Sequence, residues 1–387
     1  MNRGVNEKGS LAFCSPLSFR RKGDSTMPSF SLPNTRPDFR RIERVLKRET
    51  GGGGAAPAFE LFINPHQGLN EALWGDEPPR RTAGMTAEQF LGRWKVEAMR
   101  RLGYDFATVH ADCFTFTRKP RPQAVTDAGE TRAYVMADTH EIATREDFEK
   151  HPWPEVERAE FLQLEAARAA LPDGMKLIAI GPGGVLENAM HLLGYEGISY
   201  LLYDDPAFVA DVFEAVGSRI VRLLDALASC DAVGAVALGD DMGFRTQTML
   251  STAAMRQYVF PWQAKIVEAI HGRGKPAILH SCGNRAAILE DVLACGWDAI
   301  HSFEDAIEPV WDAKAKCGDR VALLGGFDVD KLCRMSEAGV RAHTRFLFER
   351  CAPGGGWALG SGNSIPAYVP VGNYLAMLDE GRKLNGG

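Results

Sequence analysis

Little in this chain of 387 residues suits a membrane, a nucleic acid or a disulfide scaffold. No apolar run approaches the roughly 18 residues that a transmembrane helix needs. There is no cationic excess: Lys+Arg 44 against Asp+Glu 50 leaves a net charge of −6. That balance excludes a general binder of nucleic acid or of anionic membrane surface. The cysteines number 8 and none forms a CxxC pair. In a chain this long they do not read as a disulfide framework, so a reducing, cytoplasmic compartment is expected. No GxGxxG follows a strand-like run, and Gly181-Pro-Gly-Gly184 carries no Walker lysine, which argues against a phosphate loop. Arg20, Arg21 and Lys22 are not followed by the apolar stretch of a secretory leader. Residues 1–36 read as a loose tail, with a start at Met27 or a transit peptide as the alternatives.

What the chain does have is rhythm. Short apolar runs alternate with longer amphipathic ones from the Asp38–Arg48 helix onward. The short runs are 58–62, 106–110, 176–180, 232–238, 276–280, 298–301, 321–324 and 357–359, each fitting a strand buried on both faces. Helices are expected over Pro206–Cys230, Thr252–Arg273, Arg285–Gly296 and Lys331–Cys351, with Asp204, Asp205 and Pro206 supplying a cap and first turn. Eight strands alternating with helices give the count of a single (β/α)8 TIM barrel over 37–385, with an open doubly wound sheet as runner-up. Residues 114–143 break the rhythm with strand-like alternation, which predicts a β-hairpin insertion after the second strand.

In such a barrel the chemistry sits at the carboxyl ends of the strands. The polar residues just past them are Glu60, Asn64 and His66; His110 and Asp112; Asp240 and Asp241; His280 and Cys282; His301 and Glu304; Asp328; and Ser361 and Asn363. His280-Ser-Cys282-Gly-Asn284 is the sharpest motif. Residues i and i+2 of an extended segment face one side, so an imidazole and a thiolate there suit one zinc ion. Further ligands must come from other strands, with Glu304 nearest in sequence. The structural alternative is a buried cysteine beside a satisfied core histidine. Asp240 and Asp241 end an apolar run and suit proton sharing, cation binding or a basic substrate, unless one caps a helix. His66 and His110 are candidate acid–base groups, although loop histidines are more often merely hydrogen-bonded. Asn64, Asn284, Asp328, Ser361 and Asn363 are expected to contact substrate.

The segments FRRIERVLKR, FELF, Gly181-Pro182, LLYDDPAFV, GDDMG, KPAILHSCGN, VALLGGFDV and GSGNSIP, with the closing NYLAMLDEGRK, resemble the uroporphyrinogen decarboxylase superfamily. The resemblance runs from about Phe39 to Lys383 and implies a (β/α)8 barrel. The superfamily holds decarboxylases and zinc-dependent corrinoid methyltransferases. The decarboxylases carry an Arg-rich loop after the first strand, to meet a substrate with many carboxylates. Here that loop is Phe62-Ile-Asn-Pro-His-Gln-Gly68, without arginine. The methyltransferase-like branch fits better: its HxC zinc pair matches His280 and Cys282, and its acidic ligand matches Glu304. Its third ligand, a cysteine after the last strand, falls on Ser361, a poor zinc ligand; His66, His110 or Asp241 could supply the missing one.

The expectation is a zinc-dependent methyltransferase moving a methyl group from a corrinoid carried by a partner protein to a thiol or similar acceptor. Decarboxylation of a porphyrinogen is the alternative, and a non-catalytic barrel binding a corrinoid or small ligand is the alternative of another class. Neither a nucleic acid nor a membrane partner is expected.

Overall fold

The computed structural model describes residues 36–49, 55–111, 114–117, 123–125, 131–133 and 140–386. Most of the expected tail, Asp112, and much of the expected hairpin segment lie outside these residues.

Seven parallel strands form one sheet in chain order, flanked by helices: β1 (Phe106–His110), β4 (Lys176–Ile180), β5 (Val233–Gly239), β6 (Ala277–His280), β7 (Ala299–His301), β8 (Ala322–Leu324) and β9 (Trp357–Ala358). Two further short strands, β2 (Gln123–Val125) and β3 (Thr131–Ala133), pair antiparallel between β1 and β4 in the chain. The sheet strands are apolar runs with almost every side chain buried. That is the pattern of strands covered on both faces, and it fits a TIM-barrel-like α/β fold.

The expected first strand is the exception. In place of a ladder, Ala58 and Ile63 make isolated parallel bridges to Leu359 and Ile365. The described sheet therefore has seven strands where the sequence pattern gave eight. The segment still lies beside both edges. Phe59 N–H donates to the Leu359 carbonyl at 2.7 Å, and the Phe59 ring meets Phe106 of β1 at 5.4 Å between centroids.

Under the barrel, Phe39 presses its ring on β5 where residue 234 is glycine; a Cβ there would stand 2.5 Å from the ring. The Asp205-Pro206 pair starts the helix Pro206–Ala228 as expected, with the Asp205 carboxylate accepting from Phe208 N–H at 3.0 Å. Two expected helices are broken, and a third, Arg285–Gly296, opens with a 3-10 turn at Ala286–Ile288 and is α-helical only over Leu289–Ala294. A π-helical turn at Met255–Val259 precedes Phe260–Gly272, and Met335–Ser336 separates Val329–Arg334 from Glu337–Cys351.

Candidate active site

Strand register builds the site. β6 and β7 pair in parallel with His280 opposite His301, and β5 pairs with β6 so that Gly239 stands opposite His280. The residues that follow, Asp240-Asp241 and Ser281-Cys282, therefore leave the sheet side by side. The Cys282 N–H donates to Asp241 Oδ1 at 2.7 Å. His280, Cys282 and Asp241 each offer one ligand atom, all within 4.8 Å of one another.

The two histidines fix each other's protons. His301 Nε2 lies 3.4 Å from the Ser361 carbonyl oxygen, which can only accept. His301 Nδ1 must then accept from His280 Nδ1–H at 2.7 Å. The lone pair of His280 is left on Nε2, which faces Cys282 Sγ at 3.5 Å. Burial keeps both rings neutral, driving His280 down to about 3 and His301 well below the usual histidine range. Burial first, and the Asp241 carboxylate second, push the Cys282 thiol up to about 12. Asn363 Nδ2–H donates to that sulfur at 3.1 Å, and Ser302 Oγ lies 3.7 Å from it.

These donors fit zinc. With Zn–S of about 2.3 Å and Zn–N of about 2.0 Å, tetrahedral ligands stand about 3.5 Å apart, and Sγ and Nε2 are separated by 3.5 Å. A ligating histidine normally donates its second ring N–H to a fixed acceptor, the role His301 fills here. Sulfur, nitrogen and oxygen donors from three residues would leave a fourth position open.

The remaining expected residues divide. Glu304 is not one of the three clustered ligands. It lines a cleft of about 840 Å³ at the mouth, together with Phe62, Asn64, His66, Asp328 and Asn363. The cleft adjoins the cluster through Asn363 and through Phe62, whose ring meets His280 edge-on at 4.8 Å. His66 also caps the helix Gln67–Trp74, its Nδ1 accepting from Leu69 N–H at 3.4 Å. His110 lies behind Phe62, their ring centroids 5.8 Å apart; burial, then the nearby Lys95 cation, hold it well below the usual histidine range. Asn284 turns from the cleft, accepting from Ala286 N–H at 3.0 Å and donating to the Arg245 carbonyl at 3.5 Å.

Asp240 points the other way from Asp241. Its buried carboxylate accepts from Val185 N–H at 3.2 Å, Glu187 N–H at 3.1 Å and Gln263 Nε2 at 3.0 Å. It thus closes the start of the helix Val185–Leu193, where a Cβ on residue 184 would stand 2.0 Å from its Cγ. Asp240 serves as a cap at this helix start, while Asp241 faces Cys282. Ser361 is likewise engaged: its Oγ–H donates to Glu60 Oε1 at 3.0 Å and its N–H to Glu60 Oε2 at 3.2 Å. Burial pushes the Glu60 carboxyl up to about 8. Neither Glu60 nor His301 is assigned a role by the sequence reading, although both appear among its strand-end residues. The register of DAIHSF against KPAILHSC is the signal that brings His301 to His280.

The fold and the mouth together define a TIM-barrel-like α/β protein with a polar, metal-suited site at the carboxyl ends of its strands. Residues 94–384 match the family model of uroporphyrinogen decarboxylase, and the chain belongs to that family. It is 27% identical over 220 residues to the uroporphyrinogen decarboxylase of Anaeromyxobacter dehalogenans, covering 56% of this chain and 61% of that protein. It is 24% identical over 297 residues to that of Chromohalobacter salexigens, covering 73% of this chain and 80% of that protein. A solved methyltransferase from Methanosarcina mazei shares the fold with a TM-score of 0.68 at 14% identity, covering 89% of this chain and 98% of that one. The family's members are enzymes, and among the described residues no helix is long and apolar enough to cross a membrane.

Proposed function

We propose that this chain is a zinc-dependent methyltransferase of the uroporphyrinogen decarboxylase superfamily, taking a methyl group from a corrinoid on a partner protein to a small thiol. The observation that carries this reading is the cluster of His280 Nε2, Cys282 Sγ and an Asp241 oxygen at the barrel mouth. Asp241 takes the ligand place that the resemblance gives to a cysteine at 361, and Ser361 is tied to Glu60 instead. Zinc held there would keep Cys282 as thiolate and bring a substrate thiol at the open position to its thiolate at neutral pH.

The chain's own residues then orient and shield. His301 aims His280, and Asn363 steadies the Cys282 sulfur with an N–H. Phe62 walls the site from the side of His110. The cleft beside the cluster receives the thiol's carbon skeleton. The porphyrinogen alternative asks for a cation-lined cleft, and among the described residues no Lys or Arg lines this one.

The test is loss of the methyl group from methylcobalamin in the presence of 2-mercaptoethanol, followed by the cobalamin absorption spectrum. The zinc-loaded protein is expected to speed the reaction and the Cys282→Ala variant to abolish that gain. Equal rates with and without the protein would contradict the proposal.

A further inference from the structure

The charge of the cleft says what kind of thiol it takes, an inference that rests on the proposed function. Glu304, Asp328 and Asp330 line the cleft, with Phe62 and Tyr368 as aromatic walls and no Lys or Arg among the described lining residues. Two of the carboxylates are committed. Asp328 starts the helix Val329–Arg334 by accepting from Lys331 N–H at 3.1 Å, and its other oxygen accepts from Asp305 N–H at 2.9 Å. Asp330 pairs with Arg334 at 2.6 Å.

Glu304 is different. It is exposed to the cleft, and among the described residues its carboxylate makes no hydrogen bond or ion pair. Like charges converge on it from Asp328 and Asp241, opposed by Arg285 and Arg245. Arg285 is itself buried and gives its N–H groups to the carbonyls of Ser281 and Ser302. An acidic thiol entering this cleft would meet Glu304, whose carboxylate is ion-paired to no Lys or Arg among the described residues, and no Lys or Arg on the cleft wall. A protonated amine would give Glu304 the direct ion-pair partner that it lacks among the described residues, next to aromatic faces that favour cations.

We propose that the small substrate of this cleft carries a cationic amine head placed on Glu304, so that the acceptor is an aminothiol and not an acidic thiol. Asn363 and Phe62, which belong to both the cleft wall and the surroundings of the cluster, put the thiol end toward Cys282 and the amine end toward Glu304.

Calorimetric binding to the full-length zinc-loaded protein tests this with cysteamine, 2-mercaptoethanol and 3-mercaptopropionate, which differ in head charge. A sulfur-free series of propylammonium, propanol and propionate runs beside it. Cysteamine is expected to bind roughly tenfold tighter than 2-mercaptoethanol, with 3-mercaptopropionate weakest. Glu304→Gln should level the order and Glu304→Lys should invert it, with zinc content unchanged in both. Equal binding within the sulfur-free series, or tighter binding of propionate, would overturn the proposal. So would loss of zinc on Glu304→Gln, which would make Glu304 a ligand. Failure of every thiol to bind while propylammonium still exceeds propionate would sink the thiol-activation reading and leave the cationic head standing.

Discussion

Asp240 and Asp241 are adjacent in sequence and opposite in role. Successive residues leaving a strand face opposite sides, so one carboxylate turns to the Val185–Leu193 helix and the other to Cys282. The sequence places a pair of acids at a strand end but does not say which faces the mouth; that depends on the β5–β6 register and on the helix start it meets. Burial, opposed by the three donors and assisted by Asp241, raises Asp240 from 3.8 to about 7. Between those values the native chain holds a proton that the unfolded chain has released. The contribution of this group to stability is therefore present at low pH and lost as pH rises from about 4 to about 7. Denaturant titrations across that window should show wild-type stability, taken relative to Asp240→Asn, falling as pH rises. Asp240→Ala, which strands the two helix N–H groups and Gln263, should lose about 1–3 kcal/mol while retaining the metal site. A pH-independent difference from Asp240→Asn would contradict this account. The HxC pair was legible because its spacing alone puts two donors on one side. The Asn363 contact with sulfur was not, because it links loops 81 residues apart in sequence.

At the scale of elements, apolar runs located the strands closely, since a strand buried on both faces has no choice but to be apolar. The first run did not form a ladder. It carries Glu60, whose side chain takes the Ser361 N–H, where a strand pairing would have used backbone. Helix interiors were legible and their interruptions were not. Pro261 lacks an N–H and sits in the first turn of Phe260–Gly272, directly after the π-helical turn. At the second break Ser336 restarts the chain as a cap, its Oγ accepting from Gly339 N–H at 3.3 Å. The Asp205-Pro206 start of the long helix follows local chemistry and was readable directly. Asp205 caps Phe208 and pairs with Arg145 at 3.1 Å on the surface. Asp205→Ala should therefore lower stability by about 0.5–2 kcal/mol, most of it from the lost cap and little from the exposed ion pair. Asp205→Asn should recover most of that loss in thermal unfolding. An asparagine variant as unstable as the alanine one would assign the effect to the ion pair instead.

At the scale of the molecule, parallel register turns sequence-distant strand ends into one mouth. Gly239, His280 and His301 are neighbours across three strands, so GDDMG, HSCGN and DAIHSF converge without any local sequence signal between them. The TIM-barrel-like α/β fold and the HxC spacing were thus open to sequence reasoning, whereas the grouping of Asp241, and not Glu304, with His280 and Cys282 follows from the assembled sheet. The most direct measurement is metal content by elemental analysis of protein purified without chelator, for the wild type and for Cys282→Ala, Asp241→Ala and Glu304→Gln. The account predicts about one zinc per chain in the wild type and in Glu304→Gln, and little or none in the other two. Zinc retained in Asp241→Ala but lost in Glu304→Gln, or no zinc in the wild type, would contradict the site as described.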